Sequence, residues 1–302
     1  MPDYHIVVAE CQARRGDSRQ ARRLFHGRGH SFPGLEHVTV TAWGAYLQIV
    51  FHQQVDRAVA DQLVDALAQQ IQGVEGIVVQ QRAGRGTQSE VVRGHVPEEV
   101  TVTEGDLNYW IQPTRNQNVG LFLDMGHVRE DIALAVKGKK VLNLFAYTCA
   151  FSVSALHHGA ASVVNNDMSR NALELGSRNH RLNEQDQRQV RMIPHNLFKS
   201  WWKIRQFGPY DVIIIDPPTN QRGSFVVEKS YGQVLKRLRE LASPGASIIA
   251  SLNSPFLGPD FLHNQMARWA PEATFLSQYP LHPDFPDAFP ERALKVMKFK
   301  YR

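Results

Sequence analysis

The sequence predicts an α/β protein, a doubly wound and mostly parallel sheet preceded by a small α+β domain. Three observations predict it. From Val141 to Tyr301 short apolar stretches alternate with helical patterns. Asp211–Ile215 (DVIII) is almost wholly apolar, as a central parallel strand covered on both faces must be. The last two strands are joined only by PLHPDFPDAFPER, too short and proline-rich for a crossover helix, so they are antiparallel. The result is a seven-stranded sheet with an antiparallel last strand.

Length and composition set the limits. The chain has 302 residues, enough for two ordinary domains, and is 43% hydrophobic and 21% charged, a globular composition. No apolar run reaches about 18 residues, so neither a transmembrane helix nor a membrane partner is expected. The opening MPDYHIVVAECQARRG has no charged-then-apolar leader. Two cysteines, Cys11 and Cys149, argue for a reducing cytoplasm and against a disulfide framework or a structural zinc site. The 13 histidines show no metal-binding spacing, and no metal is expected. A net charge of +5 is compatible with a nucleic-acid partner without requiring one. Lys137 is the first lysine, and Arg14, Arg15, Arg19, Arg22, Arg23 and Arg28 cluster early, opposed only by Asp17. Guanidiniums suit phosphate forks and base stacking. Arg14, Arg15, Arg22, Arg23 and Arg28 are therefore candidate RNA contacts, with a solvated arginine-rich face as the equal alternative.

Along the chain, Tyr4–Cys11 (YHIVVAEC) is apolar and β-branched and reads as a strand. HGRGHSFPG is a punctuated loop. His37–Phe51 reads as two short strands turning near Gly44. Val55, Val59, Leu63, Leu67 and Ile71 recur at helical spacing over Val55–Gln72. Ile77–Gln80 is a further strand and Ala83–Glu90 a flexible loop. Val100–Thr103 and Leu107–Gln112 flank Glu104-Gly105-Asp106, a hairpin signal. The domain boundary is placed between Gly94 and Glu98, giving residues 1–96 as an accessory domain and 97–302 as a second domain that includes the hairpin. A shaped loop from Pro113 enters a helix near Val128. Strands then follow at Val141–Phe145, Ser162–Asn166, Val190–Pro194, Asp211–Ile215, Ser247–Ser251, Phe275–Tyr279 and Ala293–Tyr301. The helices between them are Ala150–His158, Arg170–Asn183, Ser200–Phe207, Lys229–Leu241 and Phe256–Trp269, with Trp201-Trp202 as packing residues.

Ligands of open α/β sheets sit beyond the carboxyl ends of the strands, where strand order reverses. Those ends are Asn143–Thr148, Asp167, His195–Asn196, Asp216–Thr219 and Ser251–Ser254. Asp167 is placed to take both hydroxyls of a ribose, or to cap the helix beginning at Arg170, and the two roles are compatible. The turn NLFAYTCAF lacks the GxGxxG spacing that lets backbone approach a pyrophosphate. That argues for an adenosine-containing cofactor without phosphates. Asp216-Pro217-Pro218-Thr219 fixes an extended backbone. It offers a carboxylate and a carbonyl as neighbouring acceptors, which an exocyclic amine needs. The plain alternative is a proline-rich exit from a strand. In the following loop, Asn220–Phe225, Arg222 and Phe225 are candidates for phosphate contact and base stacking.

These residues carry a resemblance. VGLFLDMGHVR, VLNLFAYTCAFSVSAL, VVNNDMSRNALELGSRN, YDVIIIDPPT and LHPDFPDAFPERALKVMKF resemble the class I S-adenosylmethionine-dependent methyltransferases of the 23S ribosomal RNA guanine-2-amino and cytosine-5 group, most closely the guanine-2-amino branch. RLFHGRGHSFPGLEHVTV more loosely resembles the RLxHGExDGLPGL segment of that group's accessory domain. The resemblance implies a Rossmann-like methyltransferase sheet and S-adenosylmethionine as cofactor. It implies that Asn143, Phe145, Ala146, Tyr147 and Thr148 cradle methionine and ribose, and that Asp167 with Met168 holds the adenosine. Asn196, standing where the group has Asp, would read the adenine amine. Phe122 and Asp124 match the FLD segment that closes over the cofactor. Asp216, Pro217, Pro218 and Thr219 would orient the target base, with Asp216 also in contact with the cofactor. The implied activity is methyl transfer to a base amine in 23S rRNA or a large-subunit precursor. The group places glycine after Thr148, and here Cys149-Ala150 follows. The strand-five segment ASLNSPF has no cysteine for covalent cytosine-5 chemistry. Two alternatives stand: a tRNA, DNA or protein substrate, or an RNA-binding assembly protein whose cofactor turn has decayed.

Overall fold

The computed structural model describes residues 3–82, 86–115, 117–221 and 225–302. The chain divides into two compact units, Met1–Gly126 with His282–Phe289, and His127–Leu281 with Pro290–Arg302. Among the described residues no helix is long and apolar enough to cross a membrane.

The first unit begins with helix α1, Tyr4–Arg14, where the sequence suggested a strand. Tyr4, Val7, Val8 and Cys11 are all buried. Their spacing is that of one helical face, and this period outweighs the β-branched content of the segment. Strands β1 (Ala21–His26), β2 (Val38–Trp43) and β3 (Tyr46–Phe51), helix α2 (Arg57–Gln70), and strands β4 (Gly76–Gln81) and β5 (Gln88–Gly94) follow. They build a five-stranded sheet in the order β1-β2-β3-β4-β5. β3 and β4 are parallel and joined through α2, and the remaining pairs are antiparallel. Gly44, at φ 63°, makes the turn between β2 and β3. Gln88–Glu90, expected in a loop, belongs to β5, which pairs with β4 along a polar and exposed edge. Burial therefore gave no signal for it. Residues 83–85 of that expected loop lie outside the described residues.

β6 (Val100–Glu104) and β7 (Leu107–Ile111) form the expected hairpin, but within the first unit. The backbone N–H and the hydroxyl of Thr103 both donate to the Arg19 carbonyl, at 3.3 and 2.9 Å. The Gln20 amide exchanges hydrogen bonds with Gly105, both at 3.1 Å. Those polar contacts tie the hairpin to the residues just before β1.

The second unit takes nearly all of helix α3 (Gly126–Ala133) and continues with β8 (Lys140–Leu144), α4 (Ala150–His157), β9 (Ser162–Asn166), α5 (Arg170–Leu182), β10 (Val190–Ile193), α6 (Trp201–Arg205) and β11 (Tyr210–Ile215). A two-stranded ladder of β12 (Asn220–Gln221) and β13 (Phe225–Val226) precedes α7 (Val227–Leu235) and α8 (Leu238–Leu241). β14 (Ala242–Leu252), α9 (Asp260–Trp269), β15 (Ala273–Gln278) and β16 (Lys295–Tyr301) complete it. The sheet order is β10-β9-β8-β11-β14-β16-β15, with β16 antiparallel to both neighbours. The expected seven strands and reversed last strand are present.

Central strand β11 is buried, with Val212–Ile215 at most 2% exposed. Each such side chain contributes about 1.5–3 kcal/mol by burial. The helix expected over Lys229–Leu241 is two, α7 and α8. Ser243-Pro244-Gly245, read as a helix stop, is the irregular start of β14, where the pairing shifts register after Tyr210–Ala242. α9 starts at Asp260 and leaves Phe256 in the preceding loop.

Within the first unit, Asp284 is 7% exposed and accepts from Arg22 Nε at 2.8 Å, Arg22 Nη2 at 3.1 Å and Arg14 Nη1 at 3.2 Å. Asp284→Ala is expected to lower stability by about 2 kcal/mol, since charged hydrogen bonds are lost and two guanidiniums are left to resolvate. Asp284→Asn should cost less. Urea unfolding checks both.

Candidate functional site

The parallel strands end along one edge of the seven-stranded sheet, and strand order reverses between β8 and β11. Leu144 and Ile215 lie opposite each other there. The segments leaving β8 and β11 therefore flank one crevice, the position at which such sheets bind ligands.

Leaving β8, the backbone takes positive φ at alternate residues: Phe145 (60°), Tyr147 (48°) and Cys149 (66°). None is glycine, so each costs about 1–2 kcal/mol. A turn of this kind persists only where its surroundings over-determine it. Asp167, directly after β9, accepts the Tyr147 N–H at 2.9 Å and the Ser169 N–H at 2.8 Å. The Ala146 N–H donates to the Asn166 carbonyl at 3.0 Å. From behind, Asn179 of α5 donates to the Thr148 carbonyl at 3.0 Å, and the Ser152 hydroxyl donates to the Cys149 carbonyl at 3.0 Å. Ser152 also bonds the buried His180 at 3.0 Å. Burial pulls the His180 imidazole down to about 4, so it is neutral at pH 7.

Cys149, the departure from glycine, turns its side chain away from the crevice. It is fully buried, with Sγ 3.8 Å from Met192 Sδ. A Cβ added at Gly176 of α5 would lie 2.4 Å from that sulfur. Gly176 is thus the notch that receives Cys149, which explains a glycine inside a helix where Ala is ordinarily better.

The other residues expected here divide. Phe145 and Tyr147 are half-buried, and Ala146 and Thr148 are buried. Asn143 is 1% exposed and donates to Asn165 across the β8–β9 pair at 3.1 Å. Burial raises the Asp167 carboxyl, while the N–H groups of Ser169, Tyr147 and Met168 pull it down. Met168 is 42% exposed beside it. Asn196 caps a short 3-10 turn, its Oδ1 accepting the Phe198 N–H at 2.9 Å.

Across the crevice, Asp216 is half-buried, Pro217 buried and Pro218 exposed. The Ser251 hydroxyl donates to the Asp216 carboxylate, and the Thr219 hydroxyl donates to the Asn253 carbonyl. Tyr231 donates to the Ser251 carbonyl at 2.8 Å. The buried Lys295 donates to the Ser254 carbonyl at 2.7 Å. The sequence marks Ser251 only as a strand end and gives no signal for Lys295, because both act through contacts between distant segments. Sequence reasoning also passed over Phe256, which is 91% exposed in the loop after β14. Phe225, expected to stack a base, is corrected: it is 1% exposed and packs against Phe145 and Tyr231 at centroid distances of 5.1 and 6.3 Å. Arg222 lies outside the described residues.

The arginines of the first unit are largely structural. Arg14 and Arg22 are held by Asp284. Arg15 is 9% exposed and donates to the Gly44 carbonyl at 3.1 Å. Arg23 packs 5.0 Å from the Phe285 ring centre. Arg28 alone of the five is exposed. The cause is Asp284 and Phe285, far along the chain. Phe122 (43% exposed) and Asp124 also belong to the first unit, and the Asp124 carboxylate acts on Arg23.

Gly176→Ala is expected to destabilise by about 2 kcal/mol through overpacking against Cys149. In a Cys149→Gly background the penalty should fall by more than about 1 kcal/mol, a coupling that a double-mutant cycle of denaturant unfolding measures.

Three comparisons bear on this geometry. Residues 22–300 match the model of the S-adenosylmethionine-dependent methyltransferase family. Among curated proteins, the ribosomal RNA large subunit methyltransferase I of Aeromonas hydrophila is 35% identical over 145 residues, 47% of this chain and 36% of the relative. A Bacillus subtilis protein named Putative ribosomal RNA large subunit methyltransferase is 28% identical over 296 residues, 92% of this chain and 74% of its own length. The chain thus spans about a third of the first relative and about three quarters of the second. A solved structure, described as a putative methyltransferase complexed with SAH, superposes with a TM-score of 0.87 at 26% identity, covering 98% of this chain and 80% of that one. The chain belongs to the S-adenosylmethionine-dependent methyltransferase family.

Proposed function

We propose that the chain is an RNA methyltransferase that transfers a methyl group from S-adenosylmethionine to an exocyclic base amine, the 2-amino group of a guanine in 23S rRNA. The observation that carries the reading is the Asp216–Thr219 loop, held by Ser251 and the Asn253 carbonyl, across the crevice from the turn that Asp167 fixes. The names of the curated relatives support an rRNA substrate.

The residues present fit the cofactor. The crevice offers no glycine-rich cradle for phosphates, and the Asp167 carboxylate has the chemistry to take ribose hydroxyls. Half-exposed Met168 is an apolar surface for adenine, and Asn196 keeps a carbonyl lone pair beyond the one given to Phe198. The cofactor supplies an electrophilic methyl carbon. Asp216 and the Pro217 carbonyl accept from the two amine hydrogens and hold the nitrogen in line with that carbon. The cofactor would give up its methyl group to that nitrogen and keep the carbon–sulfur electron pair on sulfur, and the amine proton would leave to water. Positioning of this kind is worth several kcal/mol, up to about 7–11.

A further observation favours an amine over a ring carbon. Cys11 and Cys149 are both fully buried, and burial pushes both thiols well above their ordinary range. Neither can serve as the thiolate that cytosine-5 chemistry requires. The exposed ring of Phe256, in the loop that Thr219 and Lys295 pin, is a stacking surface for an extruded base.

Asp216→Ala is expected to lower turnover at least about 100-fold with cofactor affinity unchanged, because orientation is lost and the cofactor contacts remain. Asp167→Ala should weaken S-adenosylmethionine binding about 10- to 100-fold, as expected for lost charged hydrogen bonds. Calorimetry and single-turnover methylation separate the two. For the substrate, mass mapping of rRNA from a strain lacking the gene should show one guanine without its 2-amino methyl group. Unchanged rRNA modification rules out this substrate.

A further inference from the structure

The five-stranded sheet has two unlike faces. One buries Val38, Val40, Ile49 and Val79 in an apolar core with residues of α1 and α2. The other carries Thr39, Thr41, Gln48 and Gln80, all buried yet polar. The register sets His26 opposite Thr39, Thr39 opposite Val50, and Val50 opposite Gln80, a row across four strands. Three of those strands release a basic residue at the same end. His26 ends β1 and Arg28 follows in the next turn; His52 follows β3; Arg82 follows β4. The backbone there is fixed, since the His52 N–H donates to the His37 carbonyl at 2.7 Å and the Arg82 N–H to the Phe51 carbonyl at 2.8 Å.

We propose that Arg23, Arg28 and Arg82, together with His26 and His52, form a phosphodiester-binding site that holds the RNA backbone. The proposal rests on the RNA-substrate reading above. Arg28 Nη1 sits 3.4 Å from His52 Nδ1, and His52 Nε2 sits 3.5 Å from Thr39 Oγ1. Arg82 is aimed by Gln80 Oε1 at 2.5 Å and the Gln117 carbonyl at 2.6 Å. Buried Arg23 Nε and His26 Nδ1 have no hydrogen-bond partner among the described residues. Such orphans are uncommon and call for an explanation. None of the three guanidiniums is ion-paired among the described residues, and they act on one another as like charges. Arg23 is lowered to about 10 by burial, opposed by Asp124. Burial first, and then the neighbouring arginines, hold His26 and His52 at about 3, so both are neutral donors and acceptors at pH 7. Concentrated like charge is unfavourable by itself and becomes favourable when an anion enters, and a phosphate offers acceptors to several donors at once.

Arg28→Gln and Arg28→Glu test the site, because Arg28 is exposed and its loss should leave the fold intact; thermal unfolding verifies that. The full chain is titrated with a fluorescein-labelled RNA hairpin over a potassium chloride series, with inorganic phosphate as competitor and S-adenosylmethionine binding as control. Arg28→Gln is expected to reduce the slope of log affinity against log salt by about 1, and Arg28→Glu to reduce it further, with cofactor binding unchanged. Phosphate should displace RNA less readily from Arg28→Glu than from the native chain. Unchanged affinity and slope in Arg28→Glu, or a native chain that takes phosphate but no RNA, overturns the proposal. Loss of methylation with RNA and cofactor binding intact counts against the proposed reaction and not against this site.

Discussion

One carboxylate holds the crevice together. Asp167 accepts the N–H of Tyr147 from one segment and of Ser169 from another, and so binds the turn after β8 to the start of α5. Together with the Ala146 N–H bonded to the Asn166 carbonyl, it restrains the turn in which Phe145, Tyr147 and Cys149 are left-handed. α5 then backs the turn with Asn179, His180 and the notch at Gly176. The same carboxylate is the group that meets the ribose in the proposed complex. Structural and ligand roles fall on one residue, which couples the order of the turn to occupancy of the crevice.

The parallel sheet was legible because its signals are local and periodic. Asp211–Ile215 is a continuous apolar run, and the short link before β16 permits only a reversed strand. Asp167 and the Asp216–Thr219 loop were equally legible, since strand ends mark their own position. What sequence could not show was contact between distant segments. Ser251 reaches Asp216, Lys295 reaches the loop of Ser254, and Asn143 spends its amide on Asn165. α1 was misread because four β-branched and apolar residues in a row outweighed a helical spacing that was present in the same eight letters.

The basic stretch shows how burial changes the meaning of a charge. Arg14, Arg15, Arg22 and Arg23 looked equivalent to Arg28 in sequence. Asp284 pairs with Arg14 and Arg22 and the Gly44 carbonyl occupies Arg15, while Arg23 packs on Phe285 without an ion pair among the described residues. The unopposed charge moves to the strand ends, where Arg82, unremarked in sequence, joins Arg28. Likewise Cys149, half of the Cys149-Ala150 pair that suggested a decayed turn, packs its sulfur against α5 at Gly176 and beside Met192.

The central claim is that the turn held by Asp167 is competent to bind the adenosyl cofactor despite lacking glycine. Isothermal titration of the purified native chain with S-adenosylmethionine tests it most directly. Saturable one-to-one binding that S-adenosylhomocysteine displaces is the expected result. No heat of binding at millimolar ligand would contradict it.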